Sequence, residues 1–139
     1  MPVVDASIVV DWVAPDADPE GPAVRLLARW AASETPLLAP RILMEEVSNA
    51  LVAGCRRGRW EGLAADRAYA HLRRLPIALR DDAATLDRAW DLSRRHDNHP
   101  VYDMQYVALA DQLGQQLFTA DQALLQRLVQ TEFVVGLPR

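Results

Sequence analysis

Four acids stand where an apolar fold has little reason to put them. Asp5 closes the apolar pair Val3-Val4, and Asp121 follows Leu117-Phe118-Thr119 after one residue, so each lies at the end of a short strand. Asp103 shares a helical face with Tyr106, Val107 and Ala110, at spacings of three, four and seven, and that face is expected to be buried. Glu46 has Ile42, Leu43, Asn49 and Ala50 three and four residues away, so its carboxylate projects along the side of its helix that packs inward. Glu45 keeps company with Arg41 and Ser48 and reads as the solvated member of the pair.

Taken singly, each acid has a structural use. Asp5 can bond a turn, Asp103 can favour a helix N-terminus, Asp121 can cap the short helix after it, and Glu46 can pair with a buried arginine. Taken together they point elsewhere. Four carboxylates converging on one cleft repel, and they ionise together only if a cation sits between them. An all-oxygen set with no Cys or His cluster suits a hard cation, Mg2+ or Mn2+, rather than zinc. The chemistry of such a site is hydrolysis of a phosphodiester, with the ion activating water and neutralising charge on the attacking and leaving oxygens.

The elements that must carry these residues are readable from apolar periodicity and breakers. Val3-Val4, Leu37-Leu38-Ala39 between Pro36 and Pro40, Ile77-Ala78-Leu79, Leu117-Phe118-Thr119 and Phe133-Val134-Val135 read as short strands covered on both faces. Helices fill the intervals, the first starting with Ser7 near its cap and the penultimate one, from Asp103 to Leu113, stopping at Gly114. Alternation of strands with helices predicts an α/β fold, three-layer α/β/α, with a central parallel sheet of four to five short strands. Acids at the carboxyl ends of such strands lie on the edge where sites form.

With 139 residues, half of them hydrophobic, the chain reads as a single domain over residues 1–139, able to bury a core without staples. Its one cysteine, Cys55, excludes an intramolecular disulfide, and with no basic, then apolar, leader at its start it reads as cytoplasmic. No apolar run approaches the ~20 residues of a membrane span. A net charge of -4 argues against a simple basic nucleic-acid coat protein. All 15 bases are arginine. Phosphotransfer sites of the receiver and haloacid-dehalogenase types also use aspartates at strand ends, but they place a lysine beside the phosphoryl group, and this chain has none.

Four strings, in order, resemble the PIN-domain ribonucleases, specifically the VapC toxins of bacterial toxin-antitoxin pairs. They are Val3-Val4-Asp5-Ala6-Ser7, Glu46-Val47-Ser48-Asn49-Ala50-Leu51, the run Tyr102-Asp103-Met104-Gln105-Tyr106-Val107-Ala108-Leu109-Ala110, and Phe118-Thr119-Ala120-Asp121. The resemblance implies that Asp5, Glu46, Asp103 and Asp121 form the acidic metal site, with Ser7 and Thr119 as supporting hydroxyls and Asn49 as a polar neighbour of the cleft. It further implies a homodimer, magnesium-dependent endonucleolytic cleavage of RNA, and inhibition by a small VapB-type antitoxin, with a toxin–antitoxin hetero-oligomer as the inhibited form.

Charge distribution supports a polyanionic partner more than net charge does. From Gly54 to Arg80 there are seven arginines against two acids, and Arg56, Arg57, Arg59, Arg73 and Arg74 are the candidate RNA contacts among them. Trp60 and Tyr69 interleave with these and are assigned to core or dimer packing ahead of base stacking, while Trp12, Trp30 and Trp90 are assigned to packing outright. His96 and His99 precede Asp103 in a polar loop and are given no ligand role; His71 is read as structural. Two other readings stay open: a catalytically inactive PIN-like binding module, and a DNA-directed nuclease of the same fold.

Overall fold

The computed structural model describes residues 1–137. Strands β1 (Val3–Val4), β2 (Leu37–Pro40), β3 (Ile77–Arg80), β4 (Leu117–Thr119) and β5 (Val134–Gly136) form one sheet in the order β3-β2-β1-β4-β5, every pairing parallel. The helices are α1 (Ala6–Val13), α2 (Pro22–Ala32), α3 (Ile42–Arg56), α4 (Gly62–Arg74), α5 (Ala83–Arg95), α6 (Val101–Leu113) and α7 (Gln122–Arg127). Five short parallel strands are the upper end of the expected range, with β5 beginning one residue later than its apolar run.

Val3 and Val4 are both fully buried although successive strand residues point to opposite faces, so helices cover β1 on both sides. Helix α6, with α5 packed along it, lies against β1, β2 and β4, whereas α1 gathers α2, α3 and α4. Trp12 and Trp30 pack edge to face, and Trp30 does the same with Phe118. Trp60 is buried in a notch that only glycine leaves open. A Cβ on Gly54 would sit 2.0 Å from the Trp60 ring, whose Nε1 donates to Leu51 O at 2.9 Å. Gly114, at φ 63°, ends α6 in the left-handed conformation, as expected.

Two expectations are corrected. The cap of α1 is Asp5, whose carboxylate accepts from Ala6 N, so Ser7 lies inside the first turn and its hydroxyl is free to face the sheet. Trp90 is 63 % exposed on α5, because its helix turns Ala89 and Leu92 inward instead.

From β1 the chain builds outward to β2 and β3, then returns on the other side of β1 as β4 and β5. Strand order therefore reverses between β1 and β4, and the crevice at that reversal opens beyond their carboxyl ends. Asp5 follows one strand and Thr119 ends the other, with Asp5 N donating to Phe118 O at 3.0 Å to lock them in register.

Candidate active site

Asp5 is 5 % exposed and spends its carboxylate on three donors. Oδ1 accepts from Ala6 N at 2.9 Å, and Oδ2 accepts from the hydroxyls of Ser7 at 2.8 Å and Thr119 at 2.7 Å. Each hydroxyl in turn accepts a backbone proton from the loop after β4. Ala120 N donates to Ser7 Oγ and Asp121 N to Thr119 Oγ1, both at 3.0 Å. The two hydroxyls thus pass amide polarity from one strand end to the carboxylate at the other. Both hydroxyls, expected to lie near the ligands, bond Asp5 directly.

Glu46 reaches the same crevice from the second turn of α3. Fully buried Tyr106, on α6, donates its hydroxyl proton to Glu46 Oε1 at 2.6 Å. Asp103, three residues earlier on α6, bonds His99 Nε2 through Oδ2 at 2.7 Å. Its inward face is as expected, since Tyr106, Val107 and Ala110 are all buried. Glu45 is exposed, the solvated member of its pair, and Asn49 is exposed one turn on from Glu46.

Burial raises the Asp5 carboxyl above its ordinary range, and the charge of Asp103 adds to the effect, although the hydroxyls and Ala6 N oppose it. Glu46 is also raised, first by burial and then by the charges of Asp5, Asp103 and Glu45, against the bond from Tyr106. The Tyr106 hydroxyl is raised by burial and by the adjoining Glu46, which favours the protonated, donating form. The charge of Asp103 thus bears on both Asp5 and Glu46. Asp121 is tied to the site by its backbone N, which donates to Thr119 Oγ1, while its carboxylate Oδ1 caps α7 by accepting from Ala123 N at 2.9 Å and Leu124 N at 3.2 Å.

Among the described residues, no three His, Cys, Asp or Glu side chains are arranged to hold a metal ion as they stand. The donor chemistry nonetheless suits a hard cation: the three mutually repelling carboxylates supply oxygen only, and Glu46 and Asp103 each engage just one oxygen with the protein.

Tyr106 and His99 are the residues that sequence reasoning did not assign to the site. A tyrosine on a fully buried face needs a partner for its hydroxyl, which is the signal for Tyr106. His99 lies four residues before Asp103 in a loop built to deliver it. Asp97 and Asn98 take left-handed φ values of 55° and 57°; Arg94 holds Asn98 Oδ1 at 2.6 Å, and Arg127 holds His96 O at 2.9 Å. His96 contributes that carbonyl and no ring contact to the acids, and His71 is exposed beside a recess between α1 and α4.

The arginines divide. Arg56 and Arg57 stand at the end of α3, ten and eleven residues beyond Glu46. At 1.5 Å per residue that is about 15 Å along the helix. Arg59 pairs with Asp16 at 2.9 Å and stacks over Trp60. Arg73 lies over Tyr69 on α4, with Arg74 exposed beside it. Trp60 serves the core as expected, whereas Tyr69 is 42 % exposed and outside it.

Comparison with known proteins agrees with this architecture. The PIN domain family matches residues 3–129, nearly the whole chain. The chain belongs to that family, as a VapC-type member. Ribonuclease VapC3 of Mycobacterium tuberculosis is 34% identical over 122 residues, covering 88% of this chain and 83% of that protein. The crystal structure of PAE2754 from Pyrobaculum aerophilum superposes with a TM-score of 0.72 at 23% identity, over 97% of this chain and 87% of that one. Mycobacterium tuberculosis VapC20, described as a toxin that cleaves the sarcin-ricin loop, gives a TM-score of 0.71 at 20% identity, over 99% of this chain and 100% of that one. Both structures share the fold.

Proposed function

We propose that this protein is a divalent-metal-dependent endoribonuclease that hydrolyses RNA phosphodiester bonds, the toxin of a type II pair held inactive by a small VapB-type antitoxin. The observation that carries the reading is the convergence of three carboxylates, Asp5 at the end of β1, Glu46 bonded to Tyr106 of α6, and Asp103 one turn before that tyrosine, on the crevice where strand order reverses. Likeness to ribonuclease VapC3 supports RNA as substrate and an antitoxin as partner.

Asp5, Glu46 and Asp103 are the residues that would hold Mg2+ or Mn2+, with Asp121 beside them. Such an ion, when bound, supplies a more acidic water and charge neutralisation at the scissile phosphate. The chain's own residues prepare the site. Ser7 and Thr119 hold Asp5 by one oxygen edge, Tyr106 fixes Glu46, and His99 fixes Asp103, so three carboxylates that repel one another are kept from turning away. A homodimer belongs to the same reading. No described helix is long and apolar enough to cross a membrane, which is compatible with action on RNA in the cytoplasm.

A second reading, a catalytically inactive PIN-like binding module, draws on Asp5 and Asp121, both of which cap helices. Incubating the purified chain with single-stranded RNA and with DNA of the same sequence, under Mg2+ or Mn2+ and then with chelator, separates the readings. Cleavage of RNA that chelator abolishes supports the proposal. Cleavage of DNA alone, cleavage that persists in chelator, or no cleavage at all overturns it.

A further inference from the structure

A recess of about 400 Å3 lies between α3, α4 and the edge strand β3, beside the acids rather than among them. Its apolar lining includes Met44, Leu72 and Leu79, and its polar lining includes Arg41, Tyr69 and Arg73. Arg41 directly follows β2, so it stands on the same carboxyl edge of the sheet as Asp5, and its backbone N donates to Arg80 O at 2.9 Å. Glu45 also lines the recess, while its neighbour Glu46 faces Tyr106 in the crevice. Successive residues of a helix point about 100° apart, so the recess and the crevice lie on adjacent faces of α3.

Among the described residues, neither Arg41 nor Arg73 lies within ion-pair distance of a carboxylate, despite Glu45 nearby. Arg73 Nη1 donates to the Tyr69 hydroxyl at 3.5 Å, and the two guanidinium groups, neither paired with a carboxylate, flank an apolar floor with an exposed aromatic ring. Tyr69 is 42 % exposed, and the Arg73 guanidinium lies 6.0 Å from its centroid. A nucleotide presents the complementary chemistry, an apolar π-face joined to a phosphate.

We propose that this recess is a subsite for a nucleotide flanking the scissile bond, its base stacked on Tyr69 and its phosphate held between Arg41 and Arg73. The inference rests on the ribonuclease reading, whose substrate would be single-stranded at this position, since only an unpaired base can enter. Positive charge and the aromatic ring favour RNA as the occupant over an apolar segment of a partner chain.

The test is binding of fluorescently labelled single-stranded RNA to the full chain carrying Asp103→Asn, so that substrate is not consumed, with magnesium present and ionic strength varied. Added Tyr69→Ala is expected to weaken binding by about 5- to 100-fold, and Tyr69→Phe, which keeps the ring, to restore it. Arg41→Gln and Arg73→Gln should each flatten the salt dependence, by about 0.7 in slope for each phosphate no longer neutralised. Thermal melts of these variants are expected to match that of the parent. If the parent binds RNA and Tyr69→Ala binds equally well, or if the variants alter only the molecular mass in solution, the subsite is overturned while the nuclease reading stands. If the parent does not bind RNA and the unmutated chain does not cleave it, both fall.

Discussion

Tyr106, on α6 and fully buried, donates its hydroxyl proton to Glu46 Oε1, on α3, at 2.6 Å. The two are sixty positions apart in the chain, and their bond ties the two helices that bring acids to the crevice. Tyr106→Phe keeps the buried ring and removes only that tie. Activity or metal affinity is expected to fall by about 10- to 100-fold, as for residues that orient ligands. Full activity in the phenylalanine variant would show that Glu46 needs no such support.

His99 stands in the same relation to Asp103. His99→Gln, which can still donate a hydrogen bond, is expected to keep more Mn2+ affinity than His99→Ala, with the alanine variant about 10- to 100-fold weaker than the parent by calorimetry. Equal affinity in all three proteins would make the 2.7 Å contact incidental.

Thr119 is fully buried and serves both Asp5 and Asp121 N. Thr119→Val preserves shape but leaves the carboxylate short of a donor and the amide without its acceptor, a loss of about 1–3 kcal/mol in chemical denaturation. Because Ser7 donates to the same oxygen, Ser7→Ala combined with Thr119→Val should depart from additivity by about 0.5–3 kcal/mol. Strict additivity would mean that the two hydroxyls do not share one load.

Burial raises the Glu46 carboxyl in the folded chain, so the folded state holds that proton more tightly than the unfolded one. The stability that goes with it is full below the ordinary glutamate range and is lost as pH rises through the elevated folded value. Near neutral pH, without metal, Glu46→Gln is therefore expected to raise the melting temperature, on the order of 2–4 °C, and the gain should vanish in acid. Adding Mn2+ should stabilise the unmutated chain more than the variant. A variant that melts lower at neutral pH without metal would contradict the repulsion among these acids.

Much of this is legible in the sequence, for physical reasons that also mark its limit. Apolar triplets bracketed by proline, such as Leu37-Leu38-Ala39, have no room to be helices, and their lack of alternation shows that both faces are covered. Helical periodicity places Glu46 and Asp103 on inward sides, because the face of a residue is a local property. The partner on that face is not local. Thr119 meets Asp5 across 114 positions, a contact made by strand pairing that no window of sequence contains. The same limit explains Arg56 and Arg57, which neighbour the basic patch in the chain although α3 carries them to the end remote from Glu46. Asp5 reads in sequence as the end of a strand that can also bond a turn, and the structure has it finish β1 and cap α1 at once.

Three carboxylates acting as one metal-holding unit are the central claim. The most direct measurement is the rate of single-stranded RNA cleavage against Mg2+ concentration, for the unmutated chain and for Asp103→Asn, each with a chelator control. The expected result is no cleavage in chelator, recovery on adding Mg2+, and a rate more than about 100-fold lower in the variant, beyond what loss of an orienting residue produces. Cleavage that proceeds in chelator, or an Asp103→Asn protein that keeps the full rate, would contradict it.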